Sequence, residues 1–529
     1  MNKSLDPHGF PYIASLVNND VVSLSYPLDV DCRVQFLTMR HPLGMRVYRN
    51  SLSFLLAKAV AELFPKACFS IEHSLGTGFF YSLETGRTGK ATSRQVARLE
   101  SHMRRLVARD IPVQRRKISF TDAVRGFEQT GRTDRANLLK FRNPPKVVTY
   151  WCDRFSDLAH GPLAPSTGVL KTFKLIHYPP GLVLQFPHRD NARRVTPFKD
   201  QPHLFRIFSE HKQWGRILGI NNVGKLNEII INGEIENFIR IEEAFHEKKI
   251  ATIADQICVR RKHVKVVLVS GPSAAGKTTF SKRLAVQLQV NGVKPVMVSL
   301  DNYYVDNDKN PCGKDGRPDY EHIEAIDIAL FNKHLLRLIA GKEVELPYFN
   351  FTKKRREYRG TRLCIEPEQM IIVEGIHGLN PRFTHRIAPR NKFKIYVNAL
   401  TQLNIDANNR ISTTDNRLMR RLVRDRAFRG NSALATLRMW PSVRQGEKTW
   451  IFPFQQHADA TFNSALDYEL AVLNSIISPM LMEIKPRNAE YAETRRLQEF
   501  LLNFLEVSGR YVPHTSVLRE FIGASSFKY

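Results

Sequence analysis

The stretch VKVVLVSGPSAAGKTT, residues 264–279, joins a continuous apolar run to a glycine-framed loop and the start of a helical pattern. Residues 264–270 read as a buried parallel strand, because β-branched residues follow one another without polar alternation. Residues 271–278 fit G-x-x-x-x-G-K-[ST] in full. In that pattern the glycines let backbone N–H groups turn inward around phosphate oxygens. The lysine reaches the β and γ phosphates, and the final hydroxyl ligates Mg²⁺. Gly271, Ser273, Ala274, Ala275, Gly276, Lys277, Thr278 and Thr279 are therefore the candidate nucleotide-binding residues, with ATP and Mg²⁺ as cofactors. Phe280, Leu284 and Leu288 share one face of the helix that should follow, which ends near Gly292.

The same strand texture returns in VMVSL (296–300), MIIVEG (370–375) and FKIYVNA (393–399), with helical patterns between. Strands alternating with helices predict a doubly wound α/β domain with a parallel sheet over 260–529, carrying a helical extension at its C-terminal end. Ligands of such sheets sit beyond the carboxyl ends of the strands. Asp301 follows the strand 296–300 and has two readings: a base that takes a proton from an acceptor hydroxyl, or a carboxylate capping the next turn. Glu374 ends another buried strand. It suits a Mg²⁺ ligand, directly or through water, or a structural salt bridge.

Residues 410–430 hold seven arginines, at 410, 417, 420, 421, 424, 426 and 429. In a helix, Arg417, Arg420, Arg421 and Arg424 fall on one face. Like charges stacked that way repel unless anions lie among them. The readings are a clamp on transferring phosphoryl groups or a solvated basic helix.

Across 529 residues, 79 Lys and Arg stand against 51 Asp and Glu, a formal net charge of +28. That balance suits polyanionic partners: nucleotides, RNA or an anionic surface. With 43% hydrophobic and 25% charged residues, the composition is globular and excludes disorder or collagen over most of the length. Roughly three domains are expected at this length. Six scattered cysteines, none in a CxxC pair, argue against a disulfide framework or structural zinc and for a reducing, cytoplasmic compartment. No apolar signal region opens the chain, and no run of about 18 apolar residues predicts a membrane span.

In the N-terminal half, IASLVNNDVVSLSYPL reads as two strand runs around an Asn-Asn-Asp turn. SLSFLLAKAVAELFP (51–65) has helical spacing, with Ser51 as N-cap. IEHSLGTGFFYSLE (71–84) reads as a strand pair broken at Gly76 and Gly78, while 93–109 and 121–140 read as helices. Residues 101–150 carry 12 Lys and Arg against 4 Asp and Glu, a local net of +8. That is either a solvated face or an RNA-facing patch. A charged helix is expected over about 234–258.

Two resemblances add to this reading. Residues 264–475 resemble the phosphoribulokinase/uridine kinase family through GPSAAGKTT, SLDNYY, DYEHIEAID, LPYFNF, VEGI and RRLVRDRAFRG. The resemblance implies an ATP-dependent phosphotransferase of uridine kinase type acting on a nucleoside 5′-hydroxyl. Asp301 would be the general base and Lys277, Arg424 and Arg429 would act on the phosphates. Tyr304, Phe349, Lys354 and Arg421 would lie on the substrate side, with Thr278 and Glu374 on the metal. Uridine–cytidine kinases carry a His that contacts the pyrimidine where this sequence has Lys354, and commonly a Tyr where it has Phe349. A different hydroxylated metabolite is thus the alternative acceptor.

VNNDVVSLSYPLDVDCRVQFL is similar to the second half of a TGS domain, a partial β-grasp segment over 1–42. RNSLSFLLAKAVAELFP and DLAHGPLAP are similar to the α+β second additional (editing) domain of threonyl-tRNA synthetase, over 43–235. That domain uses HxxxH and a later CxxxH. Here the positions read Asn50 and Phe54, then Ala159 and Leu163. The resemblance implies a retained fold without editing chemistry, with RNA or tRNA contact by the N-terminal half. From a different class, the whole chain also fits an RNA-binding regulator switched by ATP.

Overall fold

The computed structural model describes residues 5–86, 89–142, 144–313, 316, 318–351 and 353–528. It divides into two compact units. The first comprises Met1–Gly233, Gln402–Ser412 and Leu481–Glu506, and the second Glu234–Thr401, Thr413–Met480 and Val507–Tyr529. This differs from the three blocks 1–42, 43–235 and 260–529. The block 260–529 is split because Gln402–Ser412 and Leu481–Glu506 make their contacts with N-terminal residues. Asn404 Nδ2, for example, donates to the Ile71 carbonyl at 2.6 Å.

The second unit is built on a five-stranded parallel sheet. Its spatial order is Pro295–Ser299, Met370–Glu374, Val266–Ser270, Lys392–Asn398, Ala460–Asn463. Every residue of Val266–Ser270 and of Met370–Glu374 is buried, as their unbroken apolar texture requires. The chain steps from Val266–Ser270 past one neighbour to Pro295–Ser299 and later returns to the opposite side. That reversal opens a crevice at the carboxyl ends of the strands. The phosphate-loop helix Lys277–Val290 buries Phe280, Leu284 and Leu288 completely and ends at Asn291–Gly292, with Gly292 at φ 76°. The helix Ile235–Val259 is tied to it by Arg283, which pairs with Glu243 at 3.2 Å and Glu247 at 2.7 Å.

The first unit opens with an antiparallel three-stranded sheet, ordered Asp20–Val22, Tyr12–Val17, Val34–Thr38. Its turn holds Asn18 and Asn19 at positive φ, a conformation asparagine tolerates. A four-stranded antiparallel sheet follows, ordered Cys68–Leu75, Gly78–Glu84, Gly181–Gln185, Lys174–Tyr178. A smaller one contains Gln114–Ser119, Lys146–Cys152 and Phe155–Leu158. The buried helix between the first two sheets spans Pro42–Leu63, starting nine residues before Ser51. His41 caps it by accepting from the Leu43 N–H, and Pro42 fits its first turn. Ser51 is mid-helix: its hydroxyl donates to the Val47 carbonyl and accepts from the Ala164 N–H. Residues 121–140 form two helices, Phe120–Gln129 and Thr133–Arg142, broken at Gly131 with φ 69°.

Candidate functional site

Two glycines shape the phosphate loop. A side chain on Gly271 would collide with the Val397 carbonyl oxygen, so the loop can leave its strand only as glycine. Gly276 has φ 76° and caps the helix from the left-handed region. Ala274 shares that region at φ 58°. Lys277 is the first helical residue and is nearly buried; its Nζ donates back to the Pro272 carbonyl at 3.2 Å. The ammonium is thereby folded over the loop, whose N–H groups are of the kind that cradles phosphate oxygens.

Glu374 pairs in register with Ser299 on the adjacent strand, two residues before Asp301. Burial pushes its carboxyl up to about 7, opposed by Lys277 and aided by Asp301 and Glu520. The Thr278 side chain acts to lower it. A hydroxyl and a carboxylate side by side beside the phosphate loop are hard oxygen donors, the set Mg²⁺ takes when phosphates complete its shell.

Ser299 caps the turn at the end of its strand, accepting from the Asp301 N–H at 3.3 Å. Among the described residues no hydrogen bond engages the Asp301 carboxylate. The turn is held instead by Arg356, whose guanidinium donates to the Tyr303 carbonyl at 3.2 Å and the Tyr304 carbonyl at 3.1 Å and pairs with Asp327 at 3.1 Å. Tyr304 packs beside this carboxylate among Tyr320, Phe349 and Phe351, and its hydroxyl donates to the Tyr320 carbonyl. Burial, then Asp301 and Glu321, hold its phenol well above the ordinary range. Phe349 is buried in the core with its ring against Tyr304 and Phe351, whereas Lys354 is exposed in a turn at φ 52°.

The arginine-rich segment is the helix Thr413–Arg429, and its partners correct the four-arginine clamp. Arg417 forms a buried bidentate pair with Glu447, with a further bond to the Ser273 carbonyl at 2.9 Å. Arg420 is fully buried on Glu469, at 2.5 Å, and the Ser464 carbonyl, at 2.7 Å. Both fasten the helix, and the anions among the arginines are protein carboxylates. Arg421 instead reaches the Ser273 hydroxyl at 2.9 Å. Arg421, Arg424 and Arg429 fan around the single buried Asp425 at 3.1, 3.0 and 3.8 Å. Three cations on one carboxylate leave a local excess of positive charge. Arg429 is lowered to about 10, by Arg424 first and then by burial.

Sequence reasoning missed Glu321. It lies beside Arg421 at 3.9 Å, with one carboxylate oxygen buried and unpartnered. Burial pushes it up to about 7, opposed by Arg421 and Lys277 and aided by Glu447. Its only local signal was the acidic run DYEHIEAID, which does not say which carboxylate faces the loop.

In the first unit, the positions of the two editing-type motifs do meet. The Asn50 amide lies 3.7 Å from where a side chain on Gly161 would begin. Phe54 packs on Phe155 at 5.2 Å, and Leu163 is core. The hairpin of Asn404–Asp406 and Asn409–Arg410 stands against this turn: Asp406 lies 3.4 Å from His160, and Asn408 donates to Asp157 at 2.6 Å. Arg135 joins it, paired with Asp157 at 3.1 Å and 4.0 Å from Asp406.

Residues 266–471 match the phosphoribulokinase / uridine kinase family. The N-terminal region matches threonine–tRNA ligases. That of Desulforamulus reducens is 29% identical over 257 residues, 45% of this chain and 40% of the relative. That of Citrifermentans bemidjiense is 32% identical over 213 residues, 39% of this chain and 33% of the relative. The chain thus spans well under half the length of these relatives. Among solved structures, D-glycerate 3-kinase from Cryptococcus neoformans aligns at 15% identity and TM-score 0.24, over 48% of this chain and 87% of that one. No helix among the described residues is long and apolar enough to cross a membrane.

Proposed function

We propose that the second unit is an ATP-dependent phosphotransferase that moves the γ-phosphoryl group of ATP to a hydroxyl, with a nucleoside 5′-hydroxyl as the acceptor. The observation that carries this reading is the Asp301 carboxylate. It lies two residues past the strand Pro295–Ser299, which the strand Met370–Glu374 separates from the one leading into the phosphate loop, and no hydrogen bond among the described residues engages it. In the reaction Asp301 accepts the acceptor's hydroxyl proton as that oxygen bonds to the γ-phosphorus and ADP leaves. Lys277 and the loop N–H groups hold the phosphates. Arg421, Arg424 and Arg429 supply the positive charge that the transferring group meets. Thr278 and Glu374 would hold Mg²⁺, which when bound offsets phosphate charge.

The match of residues 266–471 to a family that includes uridine kinases supports the nucleoside acceptor. A second reading, a more acidic hydroxylated acceptor, is favoured by the exposed Lys354 in place of the pyrimidine-contacting His. Turnover of ATP against a panel of nucleosides and hydroxy acids decides between them.

For residues 43–235 we propose a non-catalytic role, contacting RNA or controlling the kinase. The support is chemical: Asn50, Phe54, Ala159 and Leu163 offer neither imidazole nor thiolate to bind zinc or activate water.

A further inference from the structure

The segment Val507–Tyr529 lies beyond the family match, yet it belongs to the same compact unit as the phosphate loop. It is a built element. Its Val507 N–H donates to the Ala471 carbonyl at 3.1 Å. Arg519 gathers the segment on itself, donating to the Val512 carbonyl at 2.6 Å and the Gly509 carbonyl at 3.0 Å. Val517 is fully buried and packs directly on Gly276, where any added side chain would strike it.

Glu520, in the short helix Arg519–Ile522, accepts two hydrogen bonds on one carboxylate oxygen. One comes from the Thr279 backbone N–H at 3.1 Å and the other from the Thr279 hydroxyl at 2.8 Å. Thr279 is the third residue of the phosphate-loop helix, so its N–H belongs to the first turn, whose donors point out of the N-terminal end. First-turn donors of this kind are the ones a phosphate-loop helix offers to a phosphate chain. The same carboxylate helps raise Glu374 and acts on Lys282, so its charge is felt inside the site.

We propose that Glu520 is a built-in competitor for nucleotide. Its carboxylate stands at the first-turn donors where the phosphate chain of ATP must lie, and the C-terminal segment thereby sets the nucleotide affinity of the loop. A phosphate oxygen and a carboxylate oxygen cannot both take the Thr279 N–H, and their like charges repel at that distance. Nucleotide therefore seats only as Glu520 withdraws, and the apparent affinity is reduced by the fraction of molecules in which it has not.

The inference rests on reading residues 271–279 as a nucleotide site, and the test separates the two. Titrate the full-length protein and Glu520→Gln with MgATP and with magnesium tripolyphosphate by calorimetry. The glutamine keeps an oxygen for Thr279 and removes only the charge. Competition predicts that both ligands bind the variant about tenfold or more tighter. Unchanged or weaker binding makes Glu520 a helix cap and overturns the inference while leaving the nucleotide site standing. Binding of ATP by neither protein overturns the nucleotide site and the inference with it. Glu520→Ala, which also removes the cap, should likewise tighten binding; loosening in both variants counts against competition.

Discussion

Arg417 and Glu447 form a bidentate ion pair with both side chains out of solvent, 1% and 0% exposed. The guanidinium also reaches the Ser273 carbonyl, so one arginine ties the helix Thr413–Arg429 to the phosphate loop. Removing one member leaves a buried, unpaired charge, which costs about 3–5 kcal/mol. Arg417→Ala should therefore lower unfolding stability by that order. Chemical denaturation checks it: a variant as stable as the parent that loses only turnover would return Arg417 to the phosphates.

Lys277→Ala removes the ammonium that lies over the loop. Turnover should fall by about 10²-fold or more, with the circular dichroism spectrum unchanged. Near-parental phosphoryl transfer would contradict the assignment of the loop.

Glu374 and Glu321 are both pushed up to about 7 from an ordinary 4.5, burial being the first cause in each. A carboxyl raised in the folded state binds its proton more tightly there than in the unfolded chain. Its stabilising contribution is complete below the unfolded value and is lost as pH rises through about 7. Melting temperature in magnesium-free buffer should fall over that window, and Glu374→Gln should remove part of the fall. An unaltered profile in the variant would show that Glu374 titrates normally. Because Mg²⁺ needs the deprotonated carboxylate, its affinity should rise with pH over the same window.

Much of this site was legible and much was not, for physical reasons. Strands such as Val266–Ser270 announce themselves because burial on both faces demands an unbroken apolar run. The phosphate loop is equally local, since its work is done by consecutive backbone groups. The arginine helix was legible as a helix but not as an anchor. Arg417 and Arg420 find their carboxylates 30 and 49 residues downstream, beyond any helical spacing rule. Glu520 lies 241 residues from Thr279, and no local pattern links them. Ser51 misled because serine before an apolar run is the usual start signal, while the real start, His41–Pro42, lay a helical stretch earlier.

The basic stretch of the first unit centres on the strand Gln114–Ser119, where the Arg116 guanidinium lies 4.8 Å from the Trp151 ring. If this face meets RNA, binding should weaken steeply with salt as counterions return. Reversing Arg115, Arg116 and Lys117 to Glu should weaken it for all sequences alike. Filter binding of the full-length protein at low and moderate salt measures this, beside an assay for hydrolysis of mischarged tRNA. No RNA binding at low salt would leave a scaffold or control role. Robust hydrolysis would contradict the non-catalytic reading of Asn50, Phe54, Ala159 and Leu163.

The most direct test of the central claim is the steady-state rate of phosphoryl transfer by Asp301→Asn, with ATP binding measured on the same sample. The asparagine keeps the shape of the side chain but cannot accept the hydroxyl proton. The account predicts a kcat loss of roughly 10²–10⁴-fold with ATP affinity little changed. An unimpaired kcat with collapsed ATP affinity would contradict it, making Asp301 a structural residue of the nucleotide site and leaving the acceptor without its base.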